Sequence, residues 1–170
     1  MESVYSWDCK SFKNLYTIKS QEKRVGKLQI REWKSNSTAE IGSSQFEIKR
    51  KGFWRQTLEV YDSINQNVIS EVSFSTWKSK AMFDFRGKSY TFESKNFWNS
   101  KWEISNNNEA KITFTGSNSK GEIKGEIEEA DLPLVLIGLY IRDYYLQIVF
   151  ISLLVVFISV MSTTISTMRH

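Results

Sequence analysis

Cysteine, histidine and proline each occur only once in this 170-residue chain, and these scarcities argue against several classes of protein. With Cys9 alone, the chain cannot form an internal disulfide or a cysteine-cluster metal site, and a reducing compartment fits. The one histidine, His170, is at the last position, which argues against a Ser-His or Cys-His catalytic pair. The sequence also lacks a Gly-rich phosphate loop and the C-x-x-C and H-E-x-x-H motifs. We therefore predict a protein that is not an enzyme and has no catalytic residues, metal site or cofactor.

The sequence up to residue 130 alternates between apolar and polar residues in about ten short runs. One run, for example, places Ala81, Phe83 and Phe85 on a single face. Such runs are typical of antiparallel strands with one dry face and one solvated face, and no helical period interrupts them. Residues 1–14 show no clear period and are predicted to be a lead-in segment. The fold prediction is therefore mainly β, with residues 15–147 forming either a sandwich or a closed antiparallel barrel.

The longest largely apolar stretch runs from Asp131 to Met168; it crosses the charged pair Arg142-Asp143 and then stays uncharged from Tyr144 to Met168. Asp131 can cap a helix, and Pro133 fits the first helical turn, where a missing N–H costs nothing. The segment that follows is apolar around its whole circumference, so the helix must be buried in protein or in lipid.

The length of this helix predicts that one part of it is buried in protein and the other part in lipid. From Leu132 to Met168 it would be roughly 55 Å long, whereas a barrel wall roughly 20 Å tall encloses only about 14 helical residues. The remainder, about 23 residues, is long enough for a hydrocarbon core of about 30 Å. We therefore predict a central helix at 132–147 and a transmembrane helix at 148–168. The predicted central-helix residues are Leu132, Pro133, Leu136, Ile137, Gly138 and Ile141.

The charged pair Arg142-Asp143 is expected at the joint between the two halves, with Tyr144 and Tyr145 in an interfacial aromatic belt. Two alternatives remain open: one unbroken transmembrane helix, or a C-terminal half that packs in a homo-oligomer. Because no basic n-region and apolar run open the sequence, it shows no signal peptide. The expected topology is a single-pass membrane protein with its barrel on the cytoplasmic side.

A run of antiparallel strands followed by one apolar helix resembles the tubby C-terminal-like superfamily, which includes tubby domains, phospholipid scramblases and LURP-one-related proteins. The resemblance lies in Asp131-Leu132-Pro133-Leu134-Val135-Leu136-Ile137-Gly138-Leu139-Tyr140-Ile141-Arg142-Asp143. It implies a closed barrel threaded by a hydrophobic helix, and a lipid-binding role. The chain departs from the family in three ways. About 20 more apolar residues follow the helix, no cysteine cluster for palmitoylation precedes the barrel, and the acidic run at 126–131 does not match the scramblase calcium segment.

The stretch Lys49-Arg50-Lys51-Gly52-Phe53-Trp54-Arg55 is the best candidate contact site. Lys49, Arg50, Lys51 and Arg55 could bind anionic headgroups, each cation contributing about 1 kcal/mol near a charged leaflet. The alternative is a hairpin with solvated lysines and an aromatic side chain turned into the barrel.

The sequence thus favours a membrane-anchored, non-enzymatic module that binds anionic lipid headgroups or a membrane partner. A scramblase-like lipid transporter and a protein-binding adaptor are the alternatives. Nucleic acid is not an expected partner, because the basic stretch is short and the anchor would hold it at a membrane.

Overall fold

A computed structural model describes residues 2–10, 14–31, 36–51, 57–75, 79–96, 100–107 and 109–167. Within these residues the chain forms twelve strands, a short 3-10 turn and one long helix. The strands are β1 (Ser3–Lys10), β2 (Leu15–Ser20), β3 (Lys23–Gln29), β4 (Asn36–Ile41), β5 (Ser44–Lys51), β6 (Thr57–Asp62), β7 (Val68–Ser75), β8 (Lys80–Phe85), β9 (Lys88–Ser94), β10 (Lys101–Asn106), β11 (Glu109–Gly116) and β12 (Lys120–Gly125). The 3-10 turn spans Glu129–Asp131, and helix α1 spans Leu132–Thr167.

The strands form a closed up-and-down barrel. Each strand pairs antiparallel with its neighbour in sequence, and β1 pairs with β12 to close the sheet. Along most strands alternate side chains are buried, as at Leu58 and Val60 of β6, because successive side chains point to opposite faces. The prediction of a mainly β, closed antiparallel barrel threaded by a C-terminal apolar helix is confirmed.

The lead-in segment predicted at residues 1–14 contains a barrel strand instead. β1 supplies Trp7, which is 2% exposed, to the core and pairs with both β12 and β2. Its alternation is obscured in the sequence because Val4, an apolar residue, points outward and is 53% exposed.

Strand β4 also gives almost no apolar signal in the sequence. Two of its three buried positions are held by small residues, Ser37 and Ala39, and only Ile41 is a large apolar side chain. The neighbouring strand β5 supplies bulk beside them, since Phe46 pairs with Ala39. Ten of the twelve strands were therefore visible from the sequence.

A tight hairpin joins β8 and β9. The turn consists of Arg86 and Gly87, with φ of 51° and 73°, and Phe85 pairs with Lys88. Two central residues with positive φ match the right-handed twist of the flanking strands.

Helix α1 runs through the barrel and out of it. It begins at the end we call the upper rim, which holds the turns at 21–22, 42–43, 63–67 and 86–87, and it leaves at the opposite end, the lower rim. Its residues from Leu134 to Tyr145 are buried except for the half-buried Asp143, those at 146–148 are half-buried, and those from Val149 to Ser162 are exposed.

One segment in the described residues, Glu129–Ser162, is long and apolar enough to span a membrane, with a mean hydropathy of 2.3 in its most apolar window. Only 6% of that window is buried in the barrel, whereas the core helix of a soluble protein would be mostly buried. The described part of the chain therefore contains one candidate membrane-spanning helix, which is compatible with single-pass anchoring.

Candidate functional site at the lower rim

Charge is distributed unequally between the two rims. Each rim consists of the two residues of every strand that lie nearest to it and of the described residues that connect the strands there. The lower rim carries eight cations and one carboxylate: Lys10, Arg31, Arg50, Lys51, Lys80, Lys95, Lys101, Lys120 and Glu93. The upper rim carries six cations and ten carboxylates: Lys19, Lys23, Arg24, Arg86, Lys88, Lys124, Glu2, Glu22, Glu40, Asp62, Asp84, Glu109, Glu126, Glu128, Glu129 and Asp131. The helix therefore leaves the barrel at its basic end.

Some of the lower-rim cations are paired with carboxylates farther along the wall. Lys51 Nζ lies 2.6 Å from Glu59 Oε2, and Lys101 Nζ lies 3.3 Å from Glu103 Oε1. The two lysines are about half exposed, so solvent weakens the attraction and leaves their side chains free to exchange partners. Lys10, Arg31 and Lys120 are exposed at the same rim.

The three predicted lipid-binding residues that the structure describes, Lys49, Arg50 and Lys51, do not share one face of β5. Lys49 and Lys51 point outward from β5; the Lys49 ammonium lies 3.0 Å from Glu47 Oε2 and 4.5 Å from the centre of the Tyr61 ring. Arg50 points toward the barrel mouth, and Arg55 lies outside the described residues. Strand alternation thus separates three cations that are consecutive in sequence.

Arg50 instead belongs to the mouth from which α1 emerges. Its Nη2 donates a hydrogen bond of 3.5 Å to the Tyr140 hydroxyl, and its guanidinium lies 5.2 Å from the centre of the Tyr144 ring. These contacts direct an exposed guanidinium toward the helix at the rim.

A second set of polar residues lies just inside the same mouth and was not predicted as a site. Arg142 is 1% exposed, donates a hydrogen bond of 2.5 Å to the Ser117 carbonyl, and lies 4.6 Å from the centre of the Trp7 ring. Asp143 accepts hydrogen bonds of 2.6 Å from Tyr16 Oη and from Gln147 Nε2. The only signal in the sequence was the charged pair itself, which interrupts an otherwise apolar helix.

The expectation that Tyr144 and Tyr145 form an interfacial belt is wrong, because both side chains are buried in the barrel. The Tyr144 ring lies 4.1 Å from that of Phe74, centre to centre. The Tyr145 hydroxyl donates to the carbonyls of Ser75 and Lys80, at 3.0 and 2.5 Å. The barrel wall therefore encloses the helix as far as Tyr145, two residues beyond the charged pair.

Burial changes the proton affinity of two groups from the wall. Burial, the charge of Asp143 and the hydrogen bond to it raise the pKa of the Tyr16 hydroxyl far above its usual range. Burial also raises the pKa of the Cys9 thiol, against the opposing effect of its hydrogen bond with Tyr16. Both groups therefore remain protonated at neutral pH.

Beside this polar set, a groove of about 540 Å³ opens at the lower rim. Its polar side lies at the barrel mouth and includes Arg50 and Asn118 from the barrel and Asp143 from α1. Its other side is apolar and comes from the exposed part of α1, including Phe150 and Leu154.

The predicted central-helix residues lie along the buried half of α1. Leu136, Ile137 and Ile141 are at most 1% exposed, and Gly138 is also buried. Leu132 and Pro133 are half-buried at the upper rim. Asp131, the predicted helix cap, lies in the 3-10 turn, where its carboxylate is 2.6 Å from Lys111 Nζ.

No protein-family model, curated protein or solved structure matches this chain.

Proposed function

We propose that the protein is a membrane-anchored barrel, held by α1, whose lower rim binds anionic lipid headgroups at the bilayer surface. The observation that carries the proposal is the place where α1 becomes exposed. Its exposed apolar surface begins at Val149, directly after half-buried residues at the rim, with no polar spacer between barrel and helix.

The length of the exposed half supports contact between the rim and the bilayer. From Val149 to Thr167 it is about 28 Å long, close to the hydrocarbon thickness of about 30 Å. A spanning helix of this length brings the barrel rim to the level of the headgroups.

The charge of the rims supports the same orientation. Eight cations on the lower rim would face the headgroups, each contributing about 1 kcal/mol near an anionic leaflet, while the acidic upper rim points away. Because the cytoplasmic leaflet is the anionic one, we place the barrel on the cytoplasmic side.

The sequence between the strands that end at the lower rim is also suited to an interface. These connecting residues lie outside the described part of the chain, so only their identity is considered. They include Phe12, Trp33, Phe53, Trp54, Trp77, Phe97 and Trp98. Trp is enriched at membrane–water interfaces, and four of the six Trp residues of the chain occur in these segments.

A direct test uses full-length protein in bilayers that contain spin-labelled phosphatidylserine or spin-labelled phosphatidylcholine. The wild-type protein should associate with phosphatidylserine about threefold or more in preference to phosphatidylcholine. Replacing Lys10, Arg31 and Lys120 with Gln should bring this ratio close to one. The matched control replaces Lys23, Arg24 and Lys88 of the upper rim with Gln, removing the same charge, and should keep the preference.

If the wild-type protein shows no preference, or both triple variants lose it equally, headgroup binding by the lower rim is wrong. A barrel anchored without headgroup preference would instead favour the adaptor alternative. A scramblase-like role has less support, because the exposed part of α1 offers no polar path across a bilayer.

A further inference from the structure

The groove at the lower rim is polar on one side and apolar on the other. Its volume, about 540 Å³, lies within the range of about 300–1,000 Å³ that is usual for small-molecule sites. The polar side chains come from the barrel mouth and the apolar ones from the part of α1 that we assign to the bilayer. A ligand that fills it must therefore be amphipathic.

We propose that this groove binds a single zwitterionic phospholipid, with an acyl chain along α1 and the headgroup between Arg50 and Asp143. This inference depends on the proposed function, because the groove opens to lipid only if α1 spans a membrane. It adds a defined site and a headgroup chemistry to the general attraction of the basic rim.

The apolar side of the groove suits an acyl chain. Phe150, Ile151 and Leu154 are 63, 50 and 43% exposed and share one face of the helix, as residues three or four apart do. They continue the groove downward, away from the rim, in the direction an acyl chain takes into the hydrocarbon.

The polar side suits a phosphate beside a positive charge. The Arg50 guanidinium, directed by Tyr140 and Tyr144, presents a planar set of donors that can bind phosphate oxygens bidentately. Asn118 lines the same side and adds an amide.

The carboxylate of Asp143 determines the choice among headgroups. It lines the groove and accepts hydrogen bonds from Tyr16 and Gln147. A phosphatidylcholine or phosphatidylethanolamine headgroup offers this carboxylate a cation. The additional negative charge of phosphatidylserine or of a phosphoinositide would be repelled by it, which disfavours those lipids at this site.

Native mass spectrometry of the full-length protein, released from micelles with equal amounts of dioleoyl phosphatidylcholine, phosphatidylserine and diacylglycerol, tests the inference. We expect one retained phosphatidylcholine per chain, preferred at least about threefold over each of the other two. Arg50→Gln should reduce its retention about tenfold. Arg24→Gln is the matched control, since it removes the same guanidinium from the upper rim, away from the groove, and it should leave retention unchanged.

A second variant and a second readout keep the test valid if the Arg50→Gln variant misfolds. Asn118→Trp lies on an exposed turn and fills the groove, so it should abolish retention even if Arg50→Gln is unstable. Cys9, the only cysteine, lines the groove. Its alkylation by N-ethylmaleimide should slow several-fold when phosphatidylcholine is added and stay unchanged with diacylglycerol.

The two proposals fail in different ways. If the spin-label preference of the lower rim is observed but no single phosphatidylcholine is retained and Cys9 is not shielded, the groove inference is wrong and the proposed function remains. Equal retention of all three lipids would overturn the headgroup assignment. Loss of the spin-label preference, with one phosphatidylcholine still retained, would count against the basic rim alone.

Discussion

At the scale of single residues, the contact between Tyr16 and Asp143 links the barrel wall to the helix. Tyr16 is 1% exposed, and its hydroxyl donates a 2.6 Å hydrogen bond to the carboxylate. Tyr16→Phe removes a donor to a charged acceptor, so we expect the free energy of unfolding to fall by about 1.5–3 kcal/mol at pH 8. Denaturant unfolding of the full-length protein in detergent measures this loss, and Tyr5→Phe on β1 is a control for losing a tyrosine hydroxyl.

The raised pKa of Tyr16 gives this contact a pH dependence with a definite sign. A folded-state pKa above the unfolded value of about 10 means that the contribution is fully present below pH 10. Above pH 10 the unfolded state loses a proton that the folded state keeps, so stability decreases by up to about 1.4 kcal/mol per pH unit. Tyr16→Phe lacks this dependence, and the difference between the two proteins should shrink from pH 10 to pH 11.5. A constant difference over that interval would show that Tyr16 ionises normally when folded.

The partners of buried polar side chains cannot be predicted from the sequence. The alternating pattern identifies which side chains point inward, but it does not identify their partners. Arg142 reads in the sequence as a charge at a membrane joint, because nothing local shows that Trp7, far away in the chain, covers its guanidinium. Its partners come from β1 and from the turn after β11, and only the closed barrel brings them together.

At the scale of elements, the fit of α1 inside the wall depends on a glycine. A Cβ at position 138 would lie 2.5 Å from Phe114 Cζ, and the Phe114 ring is itself buried against Phe92. Gly138→Ala should gain about 1 kcal/mol in helix propensity but lose about 1–3 kcal/mol through overpacking, for a net loss of about 1 kcal/mol. The larger Gly138→Val should lose more.

A double-mutant cycle separates overpacking from other effects. If the clash with Phe114 is the cause, Gly138→Ala should cost less in a Phe114→Leu background, with a coupling energy of about 0.5 kcal/mol or more. Ser152→Ala on the exposed half of α1 is the control for changing a small residue in the same helix. Additive effects at positions 114 and 138 would locate the strain elsewhere.

The elements differ in how clearly the sequence encodes them. Strands such as β8 and β9 are visible because large apolar side chains occupy most of their inward positions, as Phe83 and Phe85 do in β8 and Tyr90 and Phe92 do in β9. The pattern does not reveal strand β4, because the small residues Ser37 and Ala39 occupy two of its inward positions. Phe46 of the neighbouring strand, which pairs with Ala39, fills the space beside them. An apolar pattern therefore predicts a strand when the strand itself carries the large apolar side chains of the core. It fails when the neighbouring strand carries them.

At the scale of the whole molecule, one helix contributes to two different environments. Its residues up to Tyr145 complete the core of the barrel, and those from Val149 to Ser162 are exposed. The two parts meet at the basic lower rim, where the apolar surface of α1 first becomes exposed.

This division predicts that the barrel folds without the exposed half of α1. A chain ending at Gln147 retains every residue of the buried core, including Tyr144 and Tyr145, and the lost residues whose burial is described are all exposed or half-buried. We expect it to be soluble and rich in β-structure, to unfold cooperatively, and to be released from membranes by carbonate, whereas the full-length protein stays with the membrane fraction.

A full-length control keeps the length of the chain and changes only its apolar surface. Replacing Leu153 and Phe157 with Asp adds about 2.5–3.5 kcal/mol per substitution to the cost of membrane insertion, so this variant should be released by carbonate as the shorter chain is. If the shorter chain is insoluble or unfolded while the Asp variant remains folded, the barrel requires residues beyond Gln147 and α1 is one indivisible element. If the Asp variant stays in the membrane fraction and the shorter chain does not, part of α1 other than this surface holds the protein there.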